Sequence, residues 1–174
     1  LTYTPTTWVD GSTSANAAHL NNIENGLVAV SKDVTFNASL TGTGVTSSGG
    51  FLVVPYDTVI ENVGGGTWDA VNYTWACPVA GVYVITGLIR SVDNITPGVN
   101  VMNGVGLATA DDANQVIQQF DANIGTRLTS EVVRVMRLGI GDLVRHYIYS
   151  VGGTFTYHPG GDGARFTIHL MTAT

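Results

Sequence analysis

The stretch Cys77-Pro78-Val79-Ala80-Gly81-Val82-Tyr83-Val84-Ile85-Thr86-Gly87-Leu88-Ile89-Arg90 decides the fold class. Pro78 and Gly81 mark a turn. From 82 to 90 both alternating sets of positions are largely apolar, and the residues are mostly β-branched or aromatic. A run this short, bounded by turn residues, reads as a strand covered on two sides, either in the centre of a sandwich or at an oligomer interface.

The same period of two extends outward in both directions. Val34, Phe36, Ala38 and Leu40 alternate with Thr35, Asn37 and Ser39. After a turn-rich stretch at 41–50, strands are predicted at 51–54 and 56–62, ending in Gly64-Gly65-Gly66, and then at 73–76. Downstream, strands are predicted at 99–109, 114–120, 131–138, 143–151, 155–157 and 164–172. Asp111-Asp112, 139–141, Gly152-Gly153 and 159–163 supply the turns. Eight to ten short strands with turn signals about every 8–12 residues indicate an antiparallel sandwich or jelly roll. Only residues before 34 carry a helical pattern, so the organisation expected is an amino-terminal segment, 1–34, followed by a head, 35–174.

Composition narrows the function. Of 174 residues 44% are hydrophobic and 11% charged, against roughly 25% charged in ordinary soluble domains. That excludes a disordered chain and leaves apolar surface to be covered, which points to oligomerisation. With a net charge of −6 and a single lysine, Lys32, the chain is a poor partner for nucleic acid or an anionic membrane. The lone cysteine, Cys77, permits no intrachain disulfide and reads as a small buried hydrophobe. No apolar run reaches the 18 or so residues of a membrane helix, and no signal-peptide pattern opens the sequence.

Several segments, in order, resemble one family. Tyr56-Asp57-Thr58-Val59-Ile60-Glu61-Asn62-Val63-Gly64 resembles the "FDxVxxNxG" strand of the complement first-component globular heads, and Cys77 to Ile85 resembles their "CPxxGxYxF" strand. Residues 132–144 resemble their "LxxGDxV" hairpin and 166–170 their closing "FxGxL" strand, with Ile168 where the family prefers glycine. The resemblance covers about 34–172. It implies a mainly β, antiparallel jelly-roll sandwich of the complement-globular-head or tumour-necrosis-factor-like type, forming homotrimers with apolar and aromatic residues along the axis. On this reading Tyr56, Tyr83, Ile85, Phe166 and Leu170 are core or interface residues. Gly81 permits tight entry into its strand. Gly141 occupies a positive-φ turn position, with Asp142 bonding backbone.

The first region points elsewhere. Residues 7–27, TWVDGSTSANAAHLNNIENGL, resemble the amino-terminal segment of tailed-phage tail, fibre and baseplate-associated proteins, where a "W-x-D/N-G … A-x-x-L-N-x-I-E" run precedes variable modules. Ser12, Thr13 or Ser14 could cap a helix starting near Ala15. Leu20, Ile23, Leu27, Val30 and Val34 then recur at spacings of 3, 4, 3 and 4, a heptad seam. A helix this short is marginal in isolation, so the seam rests either on its own domain or on sister helices or another protein. Trp8 stands beside it as a large apolar anchor.

Enzyme motifs are absent: there is no GxSxG, HExxH, P-loop or Rossmann glycine pattern. His146 shares a strand face with Val144 and Ile148, which suits a hydrogen-bonded core or interface histidine better than a catalytic base. Asp111, Asp112 and Asn114, with Asp121, could hold calcium, but they lack the EF-hand pattern and read first as a solvated loop. No cofactor or metal is expected. With Tyr157 and His158, the 111–114 loop is a candidate receptor-facing surface.

The expectation is a non-enzymatic, homotrimeric structural protein on the exterior of a tailed-phage virion. Residues 1–34 would dock on other virion proteins and the head would be exposed for host attachment, with a host cell-surface glycan as candidate receptor. The alternative is a capsid decoration protein that stabilises the shell without a receptor. A cellular secreted ligand of the same jelly-roll family fits less well, because residues 7–27 have no counterpart there. In a particle co-sedimentation assay, Leu20→Asp combined with Leu27→Asp is expected to abolish docking and leave the head soluble. Unchanged docking by that variant would contradict the seam.

Overall fold

The computed structural model describes residues 33–42, 44, 46–47, 50–92, 99–108, 116–122, 128–159 and 163–174. The helix expected before 34 and its residues Trp8, Leu20, Ile23, Leu27 and Val30 lie outside the described residues, as do Asp111, Asp112 and Asn114.

The described chain is built from β-strands. In order they are β1 (Thr35–Ser39), β2 (Thr46–Ser47), β3 (Gly50–Val53), β4 (Thr58–Val63), β5 (Thr67–Asp69), β6 (Thr74–Ala76), β7 (Gly81–Arg90), β8 (Val99–Leu107), β9 (Val116–Ala122), β10 (Thr129–Leu138), β11 (Leu143–Val151), β12 (Phe155–Thr156) and β13 (Ala164–Ala173). One sheet has the order β10-β7-β13-β1-β4. The other runs β5-β6-β11-β8-β9, with β3 also on β11. The short strands β12 and β2 pair separately. Sequence neighbours repeatedly fall in different sheets, with β13 returning between β7 and β1. This is jelly-roll connectivity.

Alternation along each strand sends one set of side chains between the sheets. Phe36 and Ala38 from β1, Tyr83, Ile85 and Ile89 from β7, and Phe166 and Ile168 from β13 meet Trp75, Val101, Val105, Val144 and Ile148 from the second sheet. Aromatic pairs hold the centre: Phe36 stacks on Trp68 with centroids 5.1 Å apart and meets Phe166 edge-on at 5.8 Å, while Trp75 meets Tyr83 edge-on at 5.9 Å. The expected core residues Tyr56, Tyr83, Ile85 and Phe166 are all buried, and Leu170 packs partly against them. Ile168 is buried too. Cys77 is buried, with its Sγ donating to Val79 O at 3.0 Å.

In β7 the residues Tyr83, Ile85, Gly87 and Ile89 form the buried face, and Val82, Val84, Thr86 and Leu88 are half-buried on the outward face, the one left for the oligomer-interface branch of the sequence reading. Val34, read both as the last residue of the seam and as the first of the strand alternation, lies in the jelly-roll core just before β1, and its carbonyl accepts from Leu170 N at 2.9 Å.

One polar relay crosses the core. Asn103 on β8 directs its Nδ2 at Gly87 O (3.0 Å), Ser130 O (3.2 Å) and Ser130 Oγ (3.1 Å). Its Oδ1 therefore faces His146 Nε2 at 2.5 Å, and Nε2 donates. Nδ1 of that tautomer is the acceptor, and it receives the Tyr56 hydroxyl at 2.5 Å. Burial holds the His146 imidazole neutral and pushes its pKa down to about 3. Gly87 makes room for the ring: a Cβ there would lie 2.6 Å from His146 Cδ2 and Nε2.

Turn chemistry fits the sheets together. Gly141 has φ 84° in the β10–β11 turn, a left-handed conformation that favours glycine. Asp142 accepts from Gly139 N through Oδ2 at 2.8 Å, and its carbonyl accepts from Cys77 N at 2.9 Å. Gly81 serves through close approach, since a Cβ would lie 2.5 Å from Thr172 O.

Two predictions follow from the relay. Gly87→Ala is expected to lower unfolding stability by about 1–3 kcal/mol, the usual cost of overpacking, in urea titrations; a neutral effect would contradict the close approach. The second concerns pH. Below pH 6.5 an unfolded His146 binds a proton that the folded one refuses until about pH 3. Stability is therefore lost as pH falls through that window, by about 1.4 kcal/mol per unit. In His146→Gln that contribution is expected to vanish, so that the stability gap between the two chains narrows as pH drops from 6.5 toward 3. A gap that stays constant would overturn the assignment.

Candidate functional surfaces

The outward face of the five-stranded sheet carries part of the exposed apolar surface. On β10 the outward positions are Glu131, Val133, Val135 and Arg137, and Val133 and Val135 remain 54% and 60% exposed. Register sets Val135 opposite Val84 and Val133 opposite Thr86 on β7. With Val82 and Leu88 these form a valine-rich stripe with Glu131 at one end and Arg137 at the other. Beyond it, Thr86 and Thr167 share a hydroxyl–hydroxyl bond of 2.5 Å.

The centre of that face holds polar atoms without partners. Asn37 Oδ1 on β1 and Arg165 Nε on β13 are both buried and make no hydrogen bond. Asn37 lies opposite Thr167, and Arg165 lies opposite both Ser39 and Leu88. Buried polar atoms are nearly always satisfied, so each orphan needs an explanation.

A second feature lies on the other sheet. Strand β11 is paired along one edge with β8, from Val144 opposite Leu107 to Val151 opposite Asn100. Its other edge is shared. β6 takes 143–144, β3 takes 147–150, and Val54 N bonds His146 O at 2.9 Å. The two partner strands part at 145–146. Because Val144, His146 and Ile148 face the core, alternation turns Arg145 outward at the fork. The result is a groove of about 580 Å³ with Leu52, Val71, Tyr73, Leu143 and Arg145 among its lining.

The β5–β6 turn shapes one wall. Asp69 accepts from Val71 N (2.8 Å), Asn72 N (3.1 Å) and Asn72 Nδ2 (2.7 Å). The Asn72 side chain first, then the two backbone N–H groups, hold its carboxyl below the usual range. Tyr73, the next residue of the turn, is at φ 53°, the one non-glycine residue at positive φ among those described. Arg145 Nε is buried and makes no hydrogen bond.

The residues expected to face a receptor separate. His158 is exposed, but Tyr157 is fully buried: it forms a bridge with Ser91 and packs into the core. The strand period explains this. Tyr157 continues the alternation of β12, so its side chain turns inward even though a glycine-rich loop follows. Among the described residues no cluster of three or more His, Cys, Asp or Glu could hold a metal ion, and His146 is buried with both ring nitrogens engaged. The groove itself was not foreseen. Its members Leu52, Asp69, Tyr73 and Arg145 are scattered along the sequence, and only the shared edge of β11 brings them together.

No protein-family model matches the sequence. No curated protein matches it either. The fold, by contrast, has many solved counterparts. The Eiger TNF of S. frugiperda superposes with a TM-score of 0.62 at 10% identity, over 82% of this chain and 95% of that one. Murine APRIL gives 0.54 at 10% identity, over 80% of this chain and all of that one. The globular domain of zebrafish complement 1qA gives 0.52 at 16% identity, over 81% and 99%. The described head therefore has the antiparallel jelly-roll fold shared by these TNF and complement 1q globular domains.

Proposed function

We propose that the chain is a non-enzymatic structural module that self-associates as a homotrimer through the outward face of its five-stranded sheet. Its amino-terminal segment docks on a tailed-phage particle, and its jelly-roll head faces outward for host attachment. The observation that carries the self-association is the coincidence, on one face, of exposed Val133 and Val135 with the orphaned Asn37 Oδ1 and Arg165 Nε. A sister subunit would remove the valines from water and, by repacking the Asn37 and Arg165 side chains at the contact, supply partners for the polar atoms. Full burial contributes about 1.5–3 kcal/mol per valine-sized side chain, which repeats at every interface of a closed ring. The fold shared with TNF and complement 1q globular domains suits this arrangement. The docking half of the reading rests on the phage-like pattern at 7–27.

Two experiments test the two halves. Val133→Asp with Val135→Asp, both on exposed positions, is expected to yield a folded but monomeric head by native mass spectrometry; an unchanged oligomer would contradict the interface. Quantitative mass spectrometry of purified particles tests location. A few to a few tens of copies fit a tail-associated adhesin, hundreds fit the decoration alternative, and absence from the particle would overturn both.

A further inference from the structure

We infer that the groove at the β11 fork is a binding site for a single carboxylate carried on a ring of about monosaccharide size. The inference stands on the groove alone and holds wherever the head is mounted. Four observations carry it.

Arg145 lies in a groove lined largely by apolar side chains, and its Nε is buried with no acceptor. A buried donor left unpaired costs about 1–3 kcal/mol. The Nε itself has no access to the groove, so a ligand pairs with it only once the Arg145 side chain turns toward the groove. A carboxylate then suits it, because its two oxygens match the edge of a guanidinium in a fork-to-fork pair. The one carboxylate in the groove's lining is that of Asp69, and it is already engaged by Val71 N, Asn72 N and Asn72 Nδ2.

Size and wall chemistry define the body of the ligand. About 580 Å³ falls within the roughly 300–1,000 Å³ of small-molecule sites. Val71 and Leu143 are large apolar side chains left exposed at the rim, and with Leu52 and Tyr73 they offer a surface on which a ring face packs. Arg145 is the one cation in the groove's lining and Asp69 the one carboxylate, so on a chain of net charge −6 the site has charge to offset one ligand carboxylate and none for a polyanion.

The wall is also pre-set. Tyr73 is held in the left-handed region at φ 53°, which costs a non-glycine residue about 1–3 kcal/mol and clusters at binding sites. The Asp69 clamp holds the two residues before it. A wall fixed before the ligand arrives lowers the ordering cost of binding.

The test is an amide NMR titration of the folded protein at neutral pH with glucuronate, benzoate and glucose. Shifts at Leu52, Val71 and Leu143 with an acid and none with glucose are expected. A response to glucuronate identifies an acidic sugar as the source of the carboxylate, and a response to benzoate alone identifies an apolar acid; either supports the site. Arg145→Gln is expected to weaken binding about tenfold or more, the loss of a charge-assisted bond. Val71→Trp, at a position with an exposed side chain, is expected to obstruct the groove without altering the fold, and it serves as the second probe if the Arg145 variant fails to fold. No response to either acid, an equal response to glucose, or shifts unchanged in both variants would overturn the inference.

Discussion

The relay Tyr56–His146–Asn103–Ser130 is the interaction on which the rest of the head depends. It joins the residue leading into β4 to β11, β8 and β10 through a chain of bonds in which no donor is left without an acceptor. Inside a dry core a half-satisfied network is costly, so such a chain admits one arrangement. Gly87 is glycine because the imidazole lies against its backbone, and its carbonyl in turn helps orient Asn103. Fixing His146 fixes the inward and outward sets of β11. That puts Arg145 at the fork and Tyr147 and Ile148 opposite β3. A one-residue slip of β11 would reverse every one of these side chains.

The composition gains a physical meaning from the two faces of the five-stranded sheet. Its inner face is packed with Phe36, Ile85, Phe166 and Ile168, and its outer face carries a valine stripe beside buried but unpaired polar atoms. A sheet with a wet outer face would carry polar residues at those outward positions. Exposed apolar side chains also occur elsewhere, at Phe51, Val71 and Ile140, but among the described residues only the outward face of the five-stranded sheet sets its exposed valines beside buried, unpaired polar atoms of the same sheet. The negative net charge plays no part in that surface beyond solubility.

Much of the fold was legible because strand alternation is local. The predicted strands from 34 to 172 correspond closely to those in the structure, and the jelly-roll resemblance agrees with solved TNF and complement 1q domains. What escaped is non-local or too short to have a period. β5 is three residues after a glycine run and β2 is two residues in a turn-rich stretch. Gly87 did carry a signal, since a glycine inside an apolar strand marks a close approach, but its partner His146 is distant in sequence. Tyr157 was misjudged because a neighbouring loop outweighed the alternation of its own strand. The groove could not be read at all, since it exists only where β6 and β3 part along one edge of β11.

The central claim is that the outward face of the five-stranded sheet is covered by sister copies of the same chain. Sedimentation equilibrium of the soluble protein at micromolar concentration tests it most directly. A single species with three times the 18.3 kDa chain mass, unchanged on dilution, is the predicted result. A stable species of one chain mass over the same range would contradict it.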